Sequence, residues 1–356
     1  MSLNTSLGAF ESPDATGTDW SLYFGGPDKP PRRLRNLLCS MVDAQPAGAE
    51  IVWATYYFRD RDLAARLIAA ADRGVAVRLV MEGRTRRAGA NEDVAAILMG
   101  HGLGGGLTVR TGPANPIPPR GRLHSKIYCF SHPEPVVLIG SFNPSGDDPE
   151  DPAVIAEIGD QDRGHNLLLQ LSSRKLFARL RGQVLGLAAE KTGWRFSRRQ
   201  NAPVTDGPNT LYFYPRLRPH ILPRKLAILT KDAEVSAAIS HVKPGPLTRE
   251  LAVRGAAVRL LVHDTERRAP EAVVRGLREA GVHIARYRDP AGLPMHAKFL
   301  LIEEGERATS WLGSYNHNFK SSWLNHEVLF RSADRRLFAA LKTRLDEIAA
   351  AAQQTE

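Results

Sequence analysis

Arg73-Gly74-Val75-Ala76-Val77-Arg78-Leu79-Val80 returns as Arg254-Gly255-Ala256-Ala257-Val258-Arg259-Leu260-Leu261, 181 positions later (73 to 254). Upstream, Ser21-Leu22-Tyr23-Phe24 returns as Thr210-Leu211-Tyr212-Phe213. Downstream, Leu123-His124-Ser125-Lys126 returns as Met295-His296-Ala297-Lys298, and Gly140-Ser141-Phe142-Asn143 as Gly313-Ser314-Tyr315-Asn316. Four blocks in one order, with slowly drifting offsets, mark two homologous halves. Each half reads alike. In the first, an apolar strand over 51–56 leads into a helix with Leu63, Leu67 and Ile68 on its apolar positions. Arg-Gly ends that helix, and 75–80 follows as a buried strand. Two short β-rich runs, 127–130 and 136–139, flank a turn at 131–135. Strands alternating with helices place the chain in the α/β class. The halves are assigned to 18–196 and 209–350, with the Arg-, Asn-, Pro- and Gly-rich stretch from Ser197 to Pro208 read as a linker.

The 356 residues are enough for two cores, and 43% hydrophobic with 24% charged residues excludes a disordered chain. Cys39 and Cys129 cannot form a disulfide scaffold, and neither has metal-ligand spacing. No run reaches the ~18 apolar residues of a membrane span. The first twenty residues carry Glu11, Asp14 and Asp19 and lack a signal peptide's basic start and apolar run, so a cytoplasmic location is expected. The net charge of +10 suits nucleic acid, an anionic membrane face or a phosphorylated small molecule, and equally a device for solubility.

A lone His-x-Lys carries little information, and His241-Val242-Lys243, with no Gly-Ser-x-Asn after it, is assigned to a surface loop. The other two pairs differ. Each is followed, 17 or 18 residues after its histidine (124 to 141, 296 to 314), by a serine with an asparagine two residues on. Side chains at i and i+2 of a strand share a face. His124 with Lys126, Ser141 with Asn143, His296 with Lys298 and Ser314 with Asn316 therefore pair up. Lys126, Lys298, Ser141, Asn143, Ser314 and Asn316 make a donor array without a carboxylate, suited to the non-bridging oxygens of a phosphoryl group. Two histidines can then act on opposite sides of phosphorus, one as nucleophile and one as general acid, with lysine charge in the place of a metal. No cofactor is expected.

This doubled pattern resembles the phospholipase D superfamily, whose mark is His-x-Lys-x4-Asp followed by Gly-Ser-x-Asn once per half, and the likeness runs from about Leu22 to Phe338. It implies two α/β sandwich halves packed about a pseudo-two-fold axis, with one shared active site and a phosphohistidine intermediate. By position, His124 is implied as nucleophile and His296 as the acid that protonates the leaving group and later activates the acceptor. The motif's acid falls at Ser131 and at Glu303, which suggests altered loop packing. Asn325-His326-Glu327 resembles the family's late Asn-x-Glu, whereas Gly164-His165-Asn166 has an amide in that place. The resemblance pairs these residues across the halves, Glu327 with Nδ1 of His124 and Asn166 with His296. A carboxylate there supports a nucleophilic imidazole, and an amide one that exchanges protons near neutrality. His165 and His326 are read as packing residues; His317 and Asn318 either touch substrate or cap a turn.

The motif names a reaction type, with the substrate open. An acidic insertion between Asn143 and Asn166 disfavours a long polyanion if it lies at the site mouth. Arg84-Thr85-Arg86-Arg87, Arg195 with Arg198 and Arg199, and Arg216 with Arg218, near Trp194, Phe196 and Tyr214, suit a nucleic-acid backbone or an anionic lipid surface. The expectation is a phosphodiesterase acting as a monomer on phospholipid by hydrolysis or head-group transfer, with peripheral membrane contact. A nuclease of the superfamily is the alternative, and a catalytically inactive phosphate- or lipid-binding protein the third reading.

Overall fold

The computed structural model describes residues 11–111, 121–144, 163–189, 201–289 and 292–353. Residues 145–162, the bulk of the acidic insertion, lie outside these, as do Trp194, Arg195, Phe196, Arg198 and Arg199.

The repeated octet sits at the turn between a helix and a strand in both halves. In the first, β3 (Glu50–Thr55) runs into α2 (Arg61–Asp72), whose N-terminus is capped by the Asp60 carboxylate accepting from the Leu63 amide at 2.8 Å. Leu63, Ala64, Leu67 and Ala70 form its buried stripe. β4 (Ala76–Glu82) then returns parallel to β3, with Ile51 opposite Val77. The remaining strands are β1 (Ala15–Thr16), β2 (Trp20–Phe24), β5 (Leu107–Arg110), β6 (Ile127–Phe130), β7 (Val136–Gly140) and β8 (Leu167–Leu171). They form one mixed sheet in the order β1-β2-β8-β7-β6-β3-β4-β5.

The second half repeats this with β9 (Val204–Asp206), β10 (Asn209–Tyr214), β11 (Glu234–Ile239), β12 (Val258–His263), β13 (His283–Tyr287), β14 (Lys298–Glu304), β15 (Arg307–Gly313) and β16 (Glu327–Ser332). Read from its far edge, the order β9-β10-β16-β15-β14-β11-β12-β13 matches the first sheet strand for strand. One expectation is corrected here. Val204–Asp206, inside the stretch read as a linker, is an edge strand paired antiparallel with β10, because the Gly207–Pro208 turn folds it back.

Alternation along the strands sorts the core into layers. Val52 and Ala54 of β3, Ile127 and Cys129 of β6, and Phe299 and Leu301 of β14 face a shared interior. Two helices also enter it: α4 (Arg174–Ala189), through Leu176, Leu180, Val184 and Leu187, and α9 (Arg335–Gln353), through Leu337, Leu341, Leu345 and Ile348. The other face of the first sheet is covered by α1 (Arg33–Asp43), α2 and α3 (Glu92–His101). That of the second is covered by α5 (Ile221–Ala227), α6 (Pro246–Arg254) and α7 (Glu271–Glu279). Both cysteines are buried thiols. The two halves thus share one continuous core. Arg344 of α9 reaches across it to Asp28 at 2.5 and 2.9 Å, to the Gly25 carbonyl at 3.1 Å and to Nδ1 of His165 at 3.1 Å.

Candidate active site

Gly140 and Gly313 end β7 and β15, where a Cβ would lie 2.1 Å from the Leu167 carbonyl oxygen and 2.3 Å from that of Val328. Only glycine lets β7 close on β8 and β15 on β16 at this point, and that contact delivers the next residues, Ser141 and Ser314, to the sheet ends. His124 and Lys126 lead into β6, and His296 and Lys298 into β14. Each histidine is clamped by the other half: the His124 amide donates to the His326 carbonyl at 2.9 Å, and that of His296 to the Gly164 carbonyl at 2.7 Å.

Nδ1 of His124 lies 2.9 Å from Oε2 of Glu327, and Nδ1 of His296 lies 2.8 Å from Oδ1 of Asn166. With Nδ1 donating in both rings, Nε2 is the nitrogen left for substrate. Glu327 is 1% exposed and also accepts from the Ser314 hydroxyl at 2.6 Å and the Ser321 hydroxyl at 2.7 Å. Burial pushes its pKa up, but His124, Lys126 and these hydrogen bonds outweigh that and hold it below the usual carboxylate range. Burial draws His124 below the ordinary histidine value, against the pull of Glu327. His296, with no carboxylate, is held well below by burial and by Lys298 and Arg268.

The lysines are fully desolvated. Nζ of Lys126 donates to the His124 carbonyl at 2.7 Å and lies 5.4 Å from the Tyr56 ring centroid; Nζ of Lys298 donates to the His296 carbonyl at 2.8 Å. Burial brings Lys126 down to about 7, and burial with Lys126 and Arg268 brings Lys298 well below its ordinary value. Asn143 accepts from the Tyr57 amide at 3.3 Å, while Oδ1 of Asn316 is buried with no hydrogen-bond partner among the described residues. Together with both histidines, these asparagines line a cavity of about 210 Å³ between the halves.

Two assignments from the sequence are corrected. The Ser141 and Ser314 hydroxyls do not face the cavity as phosphate ligands. Ser141 accepts from the Leu167 amide at 3.1 Å, and Ser314 binds Glu327 and the Val328 amide. Lying against the neighbouring strand, they lock the sheet end and, in the second half, the carboxylate. The other correction is His241. It does sit in a loop, but the loop leaves β11 at the site and His241 lines the cavity.

His165 accepts from Arg344 and meets the Tyr287 ring edge-on at 4.7 Å, and Asn318 caps the turn α8 (Phe319–Trp323) by accepting from the Ser321 amide at 3.0 Å. His317 is packed edge-on against Tyr315. At the motif-acid position, the Ser131 hydroxyl accepts from the Glu50 amide at 2.7 Å, tying β3 to the loop after β6.

The cavity is also lined by Tyr56, Tyr57, Arg122, Arg267, Arg268 and Lys320, which the sequence reading passed over, by Asn325 of the late Asn-x-Glu, and by Arg86, which it placed in a basic cluster. A signal for the arginines was present. Arg86-Arg87 returns as Arg267-Arg268 at the 181-residue offset of the opening octet (86 to 267).

The family model described as "Cardiolipin synthase, PLD-like domain" matches residues 41–147 and 246–349, more than half of the chain. Among the curated proteins none matches. Among solved structures, phosphatidylserine synthase from Haemophilus influenzae is 11% identical with a TM-score of 0.67, covering 92% of this chain and 86% of that one. Polyphosphate kinase from Porphyromonas gingivalis is 13% identical with a TM-score of 0.60, covering 93% of this chain, which spans 50% of the kinase. The phospholipase D family member Nuc from Salmonella typhimurium is 21% identical over 47% of this chain and 93% of its own, with a TM-score of 0.35. At these identities the likeness is one of fold.

Proposed function

We propose, for a chain that belongs to the family described as cardiolipin synthase, PLD-like domain, that it is a phosphodiesterase working through a phosphohistidine and acting on phospholipid by hydrolysis or head-group transfer. One observation carries the reading. Two histidines, each held at Nδ1 by a residue of the opposite half, line one cavity with a buried lysine beside each.

The phosphodiester anion binds between Lys126 and Lys298, with Asn143 and Asn316 as further ligands; its charge repays the desolvation of the lysines and raises the proton affinity of His296. Nε2 of His124 attacks phosphorus, a P–N bond forms, and the P–O bond to the leaving alcohol breaks as Nε2–H of His296 gives its proton to that oxygen. The phospho-imidazole is cationic, and Glu327 beside Nδ1 stabilises it. Asn166 offers no such charge, which supports His124 as the nucleophile. In the second step, water or an alcohol gives its proton to Nε2 of His296 and attacks phosphorus, and the P–N bond breaks.

Lipid is favoured over nucleic acid by the rim. Lys320 lines the cavity, and its neighbours on α8, Phe319 and Trp323, are 61% and 42% exposed, as an interfacial contact requires. Among the described residues no helix is long and apolar enough to cross a membrane. The arginines of the cavity support the nuclease reading as the alternative. The test is one panel with EDTA present, comparing wild type with His124→Ala on phosphatidylglycerol, phosphatidylcholine, bis-p-nitrophenyl phosphate and single-stranded DNA. Turnover of lipid that vanishes in the variant is expected, and a variant as active as wild type overturns the proposal. Phosphate trapped on His296 during turnover would reverse the two histidine roles.

A further inference from the structure

Resting on that phosphodiesterase reading, we propose a second oxyanion subsite in the same cleft, centred on Arg268 with His241 beside it. The alcohol that leaves or arrives on the His296 side then carries a phosphate or carboxylate of its own.

Arg268 is 3% exposed and lines the cavity, yet its Nε and Nη1 are buried with no hydrogen-bond partner, and no carboxylate pairs with it among the described residues. Nδ1 of His241 and of His263, and the Tyr57 hydroxyl, are likewise buried without a partner among the described residues. The arginine is held in place by its backbone: its carbonyl accepts from the Val242 amide at 2.9 Å and its amide donates to the Thr265 carbonyl at 2.9 Å. A desolvated guanidinium with idle donors is destabilising in the empty protein, and a bound oxyanion satisfies both its charge and its fork of N–H groups.

The first half supplies an internal control. Its counterpart of Arg268 is Arg87, half-buried and outside the cavity lining, and its counterpart of His263 is Glu82. Glu82 is occupied, accepting from the Leu123 amide at 2.7 Å and the Arg84 amide at 2.8 Å. The catalytic histidines and lysines are doubled, but the idle groups of Arg268, His241 and His263 belong to the second half, so the ligand they await is itself unsymmetrical. The loop that holds Arg268 is tied to the strand beside His296: the Ser240 amide donates to the carbonyl of Ala297, next to His296, at 2.9 Å, and the Val242 amide to that of Arg268. This places the subsite on the side of the leaving and accepting alcohol.

Calorimetric titration of the full chain with inorganic phosphate tests it. Wild type is expected to take two phosphates, Arg268→Gln to lose one and Lys126→Gln to lose the other. A single phosphate that survives Arg268→Gln and is lost in Lys126→Gln overturns the subsite and leaves the phosphodiesterase reading in place. A single phosphate lost only in Arg268→Gln upholds the subsite and removes that reading's phosphate site. Acetate titrated into phosphate-saturated protein displaces the Arg268-dependent phosphate if the subsite prefers carboxylate, and leaves it if it prefers phosphate. In turnover, the kcat/KM ratio of phosphatidylserine or phosphatidylglycerol phosphate to phosphatidylethanolamine is expected to fall about tenfold or more in Arg268→Gln, with part retained in Arg268→Lys. An unchanged ratio for both anionic lipids overturns the proposal. Because Arg268→Gln removes an unpaired buried charge, it should melt no lower than wild type, which separates the effect from unfolding.

Discussion

Glu327 and Asn166 occupy the same position in the two halves and differ in one functional group, and in the proposed mechanism that difference divides the labour of two otherwise equivalent histidines. Glu327→Gln keeps the hydrogen bond to His124 but removes the charge that balances a phospho-imidazolium. It is expected to lower kcat about 10²- to 10³-fold with little change in KM, read from steady-state kinetics. Lys126 gives a prediction of opposite sign for stability. Its pKa in the folded protein, about 7, lies below its ordinary 10.5, so burying it destabilises the empty protein while it is charged. That destabilisation is present below about pH 7 and is relieved as pH rises toward 10.5. Lys126→Met should therefore raise the melting temperature of the ligand-free protein by several degrees at pH 6 and by much less at pH 10. It should abolish the Lys126-dependent phosphate at both.

At the scale of elements, the cavity wall depends on how the loop after β3 is held. Asn91, at the N-terminus of α3, donates to the Tyr56 carbonyl at 2.7 Å and the Glu82 carbonyl at 2.8 Å, and accepts from the Phe58 amide at 2.9 Å. This one amide ties β4, α3 and the Tyr56–Tyr57 wall together. Asn91→Ala leaves three buried backbone groups unpaired and is expected to cost about 2–4 kcal/mol, seen as a lower urea midpoint at unchanged slope. The glycine-serine pairs act at the same scale. Gly140 and Gly313 let the strands close, and Ser141 and Ser314 bolt them. That is why their place in the motif is legible in the sequence while their role is not: period-two alternation predicts a shared face, but both hydroxyls are drawn aside to the adjacent strand.

For the whole molecule, the site exists only while the halves stay in register. Arg344 adds a polar tie to the shared core through Asp28, Gly25 and His165. Arg344→Met is expected to destabilise by about 1–2 kcal/mol, since it leaves the buried Gly25 carbonyl and His165 ring without their donor, while the exposed Asp28 returns to water. Urea or thermal unfolding would show it. Arg344 also gives acid unfolding a definite direction. Burial would raise the Asp28 carboxyl, but the hydrogen bonds and charge of Arg344 lower it to about 2. Its contribution is therefore complete above the ordinary value of 3.8 and is lost as pH falls through about 2. Arg344→Met should abolish that part of the acid transition.

Local chemistry wrote much of this protein into its sequence. The repeated octet, the Arg-Gly helix end and the alternating strands specify two α/β halves, because periodicity and chain reversal are decided within a few residues. The doubled His-x-Lys and Gly-Ser-x-Asn blocks mark the histidines and asparagines that line the cavity. Tertiary structure decided what depends on approach between distant segments. It turned part of the expected linker into an edge strand, carried His241 from a surface loop to the cavity, and buried Nε and Nη1 of Arg268 with no partner among the described residues. Desolvation, which holds the lysines and His296 below their ordinary values, arises only when two cores close over them, and no single half-sequence contains it.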